Sequence, residues 1–154
     1  MSTLLAVRDF LDEKRIAMIG VSRNPHDFSR VVFSELRSRG YDVVPVNPVG
    51  DEIDGVKCFH HVQDILPPVD SVLLMTVPQV TREVVRECSQ AGVKRVWMHR
   101  GGGKGAVDHE AVVFCRARDI IVIDGECPFM FLPETGWFHR LHGGVRKLFG
   151  GYPH

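Results

Sequence analysis

Several things are scarce in this sequence, and each scarcity narrows what the chain can be. Its four cysteines, Cys58, Cys88, Cys115 and Cys127, form no CxxC pair, and no secretory apolar stretch opens the chain. Reduced thiols in a cytoplasmic protein are therefore expected rather than a disulfide framework. No apolar run reaches the ~20 residues of a membrane span. Neither charge sign prevails: Lys+Arg and Asp+Glu both number 19, so the formal net charge is zero. A nucleic-acid binder carries a basic footprint instead. Nucleic acid and membrane are thus not expected partners. What remains is ordinary for one globular domain with its own core: 154 residues, 44% hydrophobic and 25% charged.

The stretch Ile16–Arg30, IAMIGVSRNPHDFSR, organises the rest. A short apolar run ends at Gly20, a polar loop follows, and a helical pattern starts near Phe28 with Val31, Val32 and Leu36 as its expected buried stripe. Strand, tight turn and helix open a nucleotide-binding α/β domain, because a helix N-terminus offers unpaired N–H groups to a phosphate. A dinucleotide fingerprint would place glycine at positions 20, 22 and 25, and only Gly20 complies; Ser22 and Pro25 hold the other two. Gly20 can make the tight turn, while Ser22 and Arg23 add a hydroxyl and a cation. The loop is a phosphate loop of another pattern.

Before this stretch, Ser2 or Thr3 can cap a short helix with Leu4, Val7, Phe10 and Leu11 on one face. After it, Gly40 stops the second helix and Tyr41–Val46 reads as strand two, ended by Asn47-Pro48. An NAD-binding Rossmann protein carries Asp or Glu at that point to grip ribose hydroxyls, and this chain carries Asn47. Pro45 inside the strand cannot donate to a ladder, so it sits near the strand end or the strand is irregular there. Val56–Phe59 reads as a short third strand, and His61–Ile65 as a brief helix closed by Pro67-Pro68. Ser71–Val77 is almost continuously apolar, as a parallel strand buried on both faces must be. Thr76 and Gln79 suit a capping box for a helix to about Ala91, with Val80, Val84 and Cys88 inward. Val93–Met98, a glycine-rich loop, a helix with Ala111, Val112 and Cys115 inward, and Ile120–Ile123 complete the alternation. The expected fold is α/β: a doubly wound, Rossmann-like, mainly parallel sheet of five or six strands in the order 3-2-1-4-5, with helices on both faces and ligands at the strand C-terminal ends.

The remainder, from Glu126, breaks the repeat. It starts with aromatics and prolines; then Trp137, Leu141, Val145 and Leu148 recur at helical spacing beside His139, Arg140, Arg146 and Lys147. A tail packed over the sheet edge or in a subunit interface is expected, which leaves a homodimer open. Arg23 is the better candidate for pairing with phosphate; for Arg30, a phosphate contact and a solvated helix position weigh equally. Gly101–Gly105 lacks the Ser or Thr of a P-loop after Lys104, so a flexible loop over the ligand end is the ordinary reading. The eight histidines, including the His60-His61 and His139–His142 pairs, show no metal-ligand spacing, and no metal site is expected. Cys127, just past the last strand, is the thiol to watch for a mixed disulfide with a thiol ligand.

Four marks in order carry a family resemblance: Gly20-Val21-Ser22 after strand one, VVPVNP at Val43–Pro48, an apolar run ending in Val77-Pro78, and Val96-Trp97-Met98. The chain resembles small stand-alone CoA-binding proteins, and is similar to the CoA-binding Rossmann domain of succinyl-CoA synthetase α subunits and acyl-CoA synthetases, over roughly Arg15–Asp124. The resemblance implies coenzyme A or acyl-CoA as ligand, with phosphates at Gly20, Val21, Ser22, Arg23, Asn24 and the helix near Phe28. It implies adenine and ribose beside Val46, Asn47 and Pro48, and further contacts at Thr76, Val77 and Pro78. His99 stands where many relatives have glutamine, at the pantetheine end. The expectation is one domain over residues 1–154, core about 15–124 and extension 126–154, acting as a non-catalytic carrier, sensor or regulatory module. The alternative is an NAD(P)-dependent oxidoreductase or other nucleotide-cofactor enzyme using His99, Asp124 or Glu126 as acid–base groups.

Overall fold

The computed structural model describes residues 3–101, 103 and 105–133; the readings made for Ser2, Gly102, Lys104 and everything from Glu134 onward lie outside them. In chain order the elements are α1 (Leu4–Asp12), β1 (Arg15–Ile19), α2 (Phe28–Ser38), β2 (Asp42–Val46), β3 (Glu52–Ile53) and β4 (Val56–Lys57). A 3-10 turn at Val62–Asp64 follows, then β5 (Ser71–Leu74), α3 (Pro78–Gln90), β6 (Arg95–Met98), α4 (His109–Arg116), β7 (Ile121–Asp124) and a 3-10 turn at Pro128–Met130. Thr3 caps α1 through its side chain, accepting from the Ala6 N–H at 3.1 Å.

The sheet has five parallel strands in the order β2-β1-β5-β6-β7, which makes the apolar strand Ser71–Leu74 central. Its pleat sends alternate residues to opposite faces. Ile16, Met18, Leu73, Trp97 and Ile123 meet Val7 and Phe10 of α1 and Val32, Phe33 and Leu36 of α2 on one face. Ala17, Ile19, Val72, Leu74, Val96 and Met98 meet Val85 and Cys88 of α3 and Ala111, Val112 and Cys115 of α4 on the other. Trp97 is fully buried, packs edge-on to Phe10 at 5.2 Å, and donates its indole N–H to the Gly125 carbonyl at 2.8 Å.

Four expectations need correction. Val31 is 50% exposed, and Phe33 takes its place in the α2 stripe beside Val32 and Leu36. Val80 is 45% exposed, and the inward face of α3 is Thr81, Val85 and Cys88. In both helices the misassigned valine lies within the first four residues and is exposed. The capping box at Thr76 and Gln79 does not form: Val77 is the cap residue without a side-chain bond, Pro78 starts the helix, and the Thr76 hydroxyl meets the Thr81 hydroxyl at 2.6 Å. Finally, Val56–Phe59 is not a strand of the main sheet. Val56–Lys57 pairs antiparallel with Glu52–Ile53, and Phe59 alone bridges Val46. The 2-1-4-5 part of the expected order stands in the sheet, with Ile121–Asp124 beyond it, and the expected third strand survives only as that single bridge outside β2.

Pro45 fits because β2 is an edge strand. Asp42 and Val46 bond toward β1, through the Asp42 N–H to Lys14 and the Gly20 N–H to Val46, so Pro45 faces outward. Its carbonyl accepts the Phe59 N–H at 3.0 Å, and its missing N–H is not needed by any ladder.

Candidate functional site

Because all five main strands are parallel, the segments after Ile19, Val46, Leu74, Met98 and Asp124 leave from the same end of the sheet. Gly20 sits at φ +94°, and a Cβ there would lie 2.7 Å from the Met75 carbonyl oxygen. Only glycine lets the chain turn off β1 this close to the backbone following β5. Of the expected loop residues, Gly20 thereby comes to lie beside Met75 and Thr76.

The loop is ordered largely by its own side chains. The Ser22 N–H donates to the Ser29 hydroxyl at 2.9 Å, and the Ser22 hydroxyl donates to Asp27 at 2.5 Å and accepts the Asn24 N–H at 3.1 Å. The Asn24 side-chain oxygen accepts the His26 N–H at 3.0 Å. The Ser22 hydroxyl is thus engaged within the loop. Asp27 is the cap residue of α2, yet its carboxylate turns to Ser22 and makes no capping bond. That leaves the first-turn N–H groups of α2 without a side-chain cap from Asp27.

The two arginines part company. Arg30 is 9% exposed; its guanidinium donates to the Ser22 and Arg23 carbonyls at 3.4 and 3.3 Å and pairs with Asp54 in the β3–β4 turn. Arg30 braces the loop from below, a role that neither sequence reading of it contained. Arg23 is exposed, with its stem beside Gly50, and its guanidinium makes no hydrogen bond or ion pair among the described residues. Arg23 is therefore the cation of this loop available to an anionic ligand.

Asn47 is a strut. Its Nδ2 donates to the Val21 carbonyl at 2.9 Å and its Oδ1 accepts the Val49 N–H at 2.9 Å. It ties the end of β2 to the loop after β1, and Pro48 follows it at the surface. His99, after β6, is 8% exposed; its carbonyl accepts the Ala106 N–H at 2.7 Å, and its ring lies 5.7 Å from that of Phe28. Phe28 also meets Phe129 edge-on at 6.2 Å. The sequence reading placed the start of a phosphate-binding helix near Phe28 but missed the contacts of the Phe28 ring, and it missed Asp27, Ser29, Asp54 and Phe129 as site residues. A capping signal could have found Asp27 and Ser29, whereas nothing local links Phe28 to a ring at the other end of the chain.

Cys127 is 2% exposed, and burial pushes its thiol up to about 11. Burial thus keeps it in the protonated, weakly nucleophilic form at neutral pH. Intact-mass measurement after incubation with CoA disulfide should therefore show no adduct on Cys127; a stoichiometric adduct there would show that the segment opens. Among the described residues no three His, Cys, Asp or Glu side chains cluster as a metal would need.

Comparison with known proteins bears on this arrangement. The family model described as a CoA binding domain matches residues 14–133. The uncharacterized protein YneT of Bacillus subtilis is 30% identical over 114 residues, covering 74% of this chain and 82% of YneT. The ADP-forming acetate–CoA ligase II of Archaeoglobus fulgidus is 32% identical over 94 residues, which is 60% of this chain but only 14% of the ligase. Among solved structures, a hypothetical protein from Pyrococcus horikoshii OT3 superposes with a TM-score of 0.74 at 29% identity, over 83% of this chain and 92% of that one. The matched span takes in every strand of the parallel sheet and the segments at its carboxyl end, and the chain belongs to the family of CoA binding domains.

Proposed function

We propose that this chain is a single CoA-binding domain that holds coenzyme A or an acyl-CoA across the carboxyl ends of its strands, as a carrier, sensor or regulatory module without chemistry of its own. The observation that carries the reading is Arg23: an exposed cation without a protein partner among the described residues, beside a helix start that the Asp27 side chain does not cap. Both features attract a pyrophosphate. The glycine cradle at position 20 keeps the backbone low enough for a ligand to lie over it. Arg23, Gly20, Val21 and Asn24 would hold the phosphates, with Ser22 and Arg30 keeping the loop in shape. Asn47 and Pro48 would flank adenine and ribose, and Thr76, Val77, Pro78 and His99 the pantetheine. Bound CoA supplies a thiol that can carry an acyl group as a thioester; the chain's part is to bind and orient it.

Of the groups an enzymatic reading would need, two are buried and one stands beside a cation. His99 and Glu126 are each 8% exposed, and Asp124 lies 3.8 Å from Arg116. This supports a module that binds without turnover.

Thermal melts with CoA, dephospho-CoA and NAD test the proposal, because a ligand that binds only the folded state raises the midpoint. CoA at a hundred times its Kd should add about 2.7 kcal/mol. Dephospho-CoA should stabilise less, and NAD little. Arg23→Ala should weaken CoA by about 1.5–3 kcal/mol. Equal stabilisation by NAD would overturn the assignment and put the oxidoreductase reading ahead. Sustained thiol release from acyl-CoA, lost in Arg23→Ala, would overturn the absence of turnover.

A further inference from the structure

Two features draw phosphate to the loop after β1, and they lie on different sides of it. The start of α2 faces the middle of the sheet: the ring of Phe28, its first residue, lies 5.7 Å from that of His99 after β6. Arg23 leans the other way, toward the edge strand β2. A Cβ at Gly50 would lie 3.7 Å from its Cγ and 3.8 Å from its Cδ, so the Arg23 stem runs alongside the segment that follows Asn47 and Pro48. Both sides of this contact are held. Arg30 donates to the Arg23 carbonyl at 3.3 Å, and the Asn47 side chain accepts the Val49 N–H at 2.9 Å. The acids of the same stretch have other partners, Asp54 in Arg30 and Asp51 in His60 at 3.1 Å. Lys57, the next cation along, lies over the Phe59 ring at 4.8 Å.

We infer that Arg23 reads the 3′-phosphate on the ribose of coenzyme A while the start of α2 takes the pyrophosphate, so that Arg23 is the residue that selects CoA over dephospho-CoA. This rests on the CoA reading, which sets the ribose beside Asn47 and Pro48, and it divides the ligand's phosphates between two holders. A 3′-phosphate is a monoester with about two negative charges at neutral pH, its second pKa being about 6. That is more charge than either phosphorus of the pyrophosphate carries, and its open oxygens suit the planar fork of a guanidinium. The pyrophosphate oxygens suit the N–H groups at the start of a helix. Asn47 brings no carboxylate to this end of the site, so the cation there is not offset by a charge at the end of β2.

The test measures affinities for CoA and dephospho-CoA by calorimetry on the full chain and on Arg23→Ala, Arg23→Gln and Lys57→Ala. The natural chain should bind CoA about tenfold tighter than dephospho-CoA, as one charge-assisted contact implies. Arg23→Ala and Arg23→Gln should each bring that ratio to about twofold, whereas Lys57→Ala should leave it at about tenfold. In the natural chain the ratio should also shrink from about pH 7.5 to about pH 5, as the monoester takes up its second proton. If CoA binds but the natural chain does not favour it over dephospho-CoA, or if loss of Arg23 weakens both ligands equally, this inference falls and the CoA assignment stands. An equal fall of the ratio in Lys57→Ala would make the selectivity one of diffuse charge and overturn the inference as well. If neither ligand binds, the assignment falls and this inference with it. Should Arg23→Ala fail to fold, Arg23→Gln, which keeps the stem beside Gly50, decides in its place.

Discussion

Replacing Gly20 by alanine is expected to destabilise the protein by about 3 kcal/mol, or roughly 6–12 °C in Tm for a chain of this size. Two costs add. A side chain at φ +94° is strained by roughly 1–2 kcal/mol. The new Cβ also lands 2.7 Å from the Met75 carbonyl oxygen and 2.9 Å from its carbon, both backbone atoms of the neighbouring central strand's continuation. Backbone on that side is held by the Met75 N–H to the Ile19 carbonyl at 2.8 Å, so it cannot retreat without breaking the sheet end. Gly40 supplies the control: its φ is +90°, but nothing lies within 4 Å of its Cβ position. Gly40→Ala should therefore cost only the conformational part. CoA affinity should drop in the Gly20 variant and hold in the Gly40 variant. Equal Tm losses for the two would show that the close approach to Met75 contributes nothing.

Asn47→Asp is the second large effect, and it separates two ways of understanding this position. Read from sequence, Asn47 matters because it lacks a charge: an aspartate would repel the 3′-phosphate of CoA, and salt would relieve the repulsion. The structure adds a cost that needs no ligand. Aspartate keeps the bond from the Val49 N–H but replaces the donor to Val21 by an oxygen facing a carbonyl oxygen. Losing that bond and leaving two acceptors face to face should cost about 2–3 kcal/mol in the ligand-free protein. The sign with pH follows. Only the protonated carboxyl can donate to Val21, so folding raises the pKa of the introduced carboxyl. The penalty is then full above that raised pKa and recedes as pH falls through it into the acid range. Melts of the ligand-free variant at neutral pH and near pH 4 check this. A variant as stable as the natural chain, with only CoA affinity lowered and regained in salt, would leave the charge as the whole explanation.

The alternation of apolar runs and helical stretches was enough to read the parallel sheet, because each strand between helices must be apolar on both faces. The glycine stops at Gly40 and Gly92 were readable for a similarly local reason, as both residues take positive φ at a helix end. What the sequence could not settle was which face a valine in the first turn of a helix presents. Val31 and Val80 are apolar like their buried neighbours, yet they stand 50% and 45% exposed, because the docking of the helix on the sheet and not composition decides which apolar residues face inward. The third strand failed because two short pairings compete for Val56–Phe59, and the near one, with Glu52–Ile53, prevails. In the site, residue types marked the loop correctly while partners stayed hidden. The hold of Arg30 on Asp54 spans 24 positions, and that of Phe28 on Phe129 joins the ends of different elements.

The outward turn of Pro45 also governs how copies of this chain can meet. A sheet ends in a strand whose unused amides and carbonyls invite another strand to pair, the first step toward fibrils. On β2 that invitation is nearly withdrawn. Pro45 offers no amide, its carbonyl is taken by Phe59, and the next outward amide along, that of Asn47, is bonded to the Phe59 carbonyl at 2.9 Å. Within the strand Val43 alone turns both groups outward, and one residue cannot seed a ladder. Among the described residues sheet-to-sheet growth through this side is closed, and the other edge of the main sheet is β7, where Ile121 stands 43% exposed.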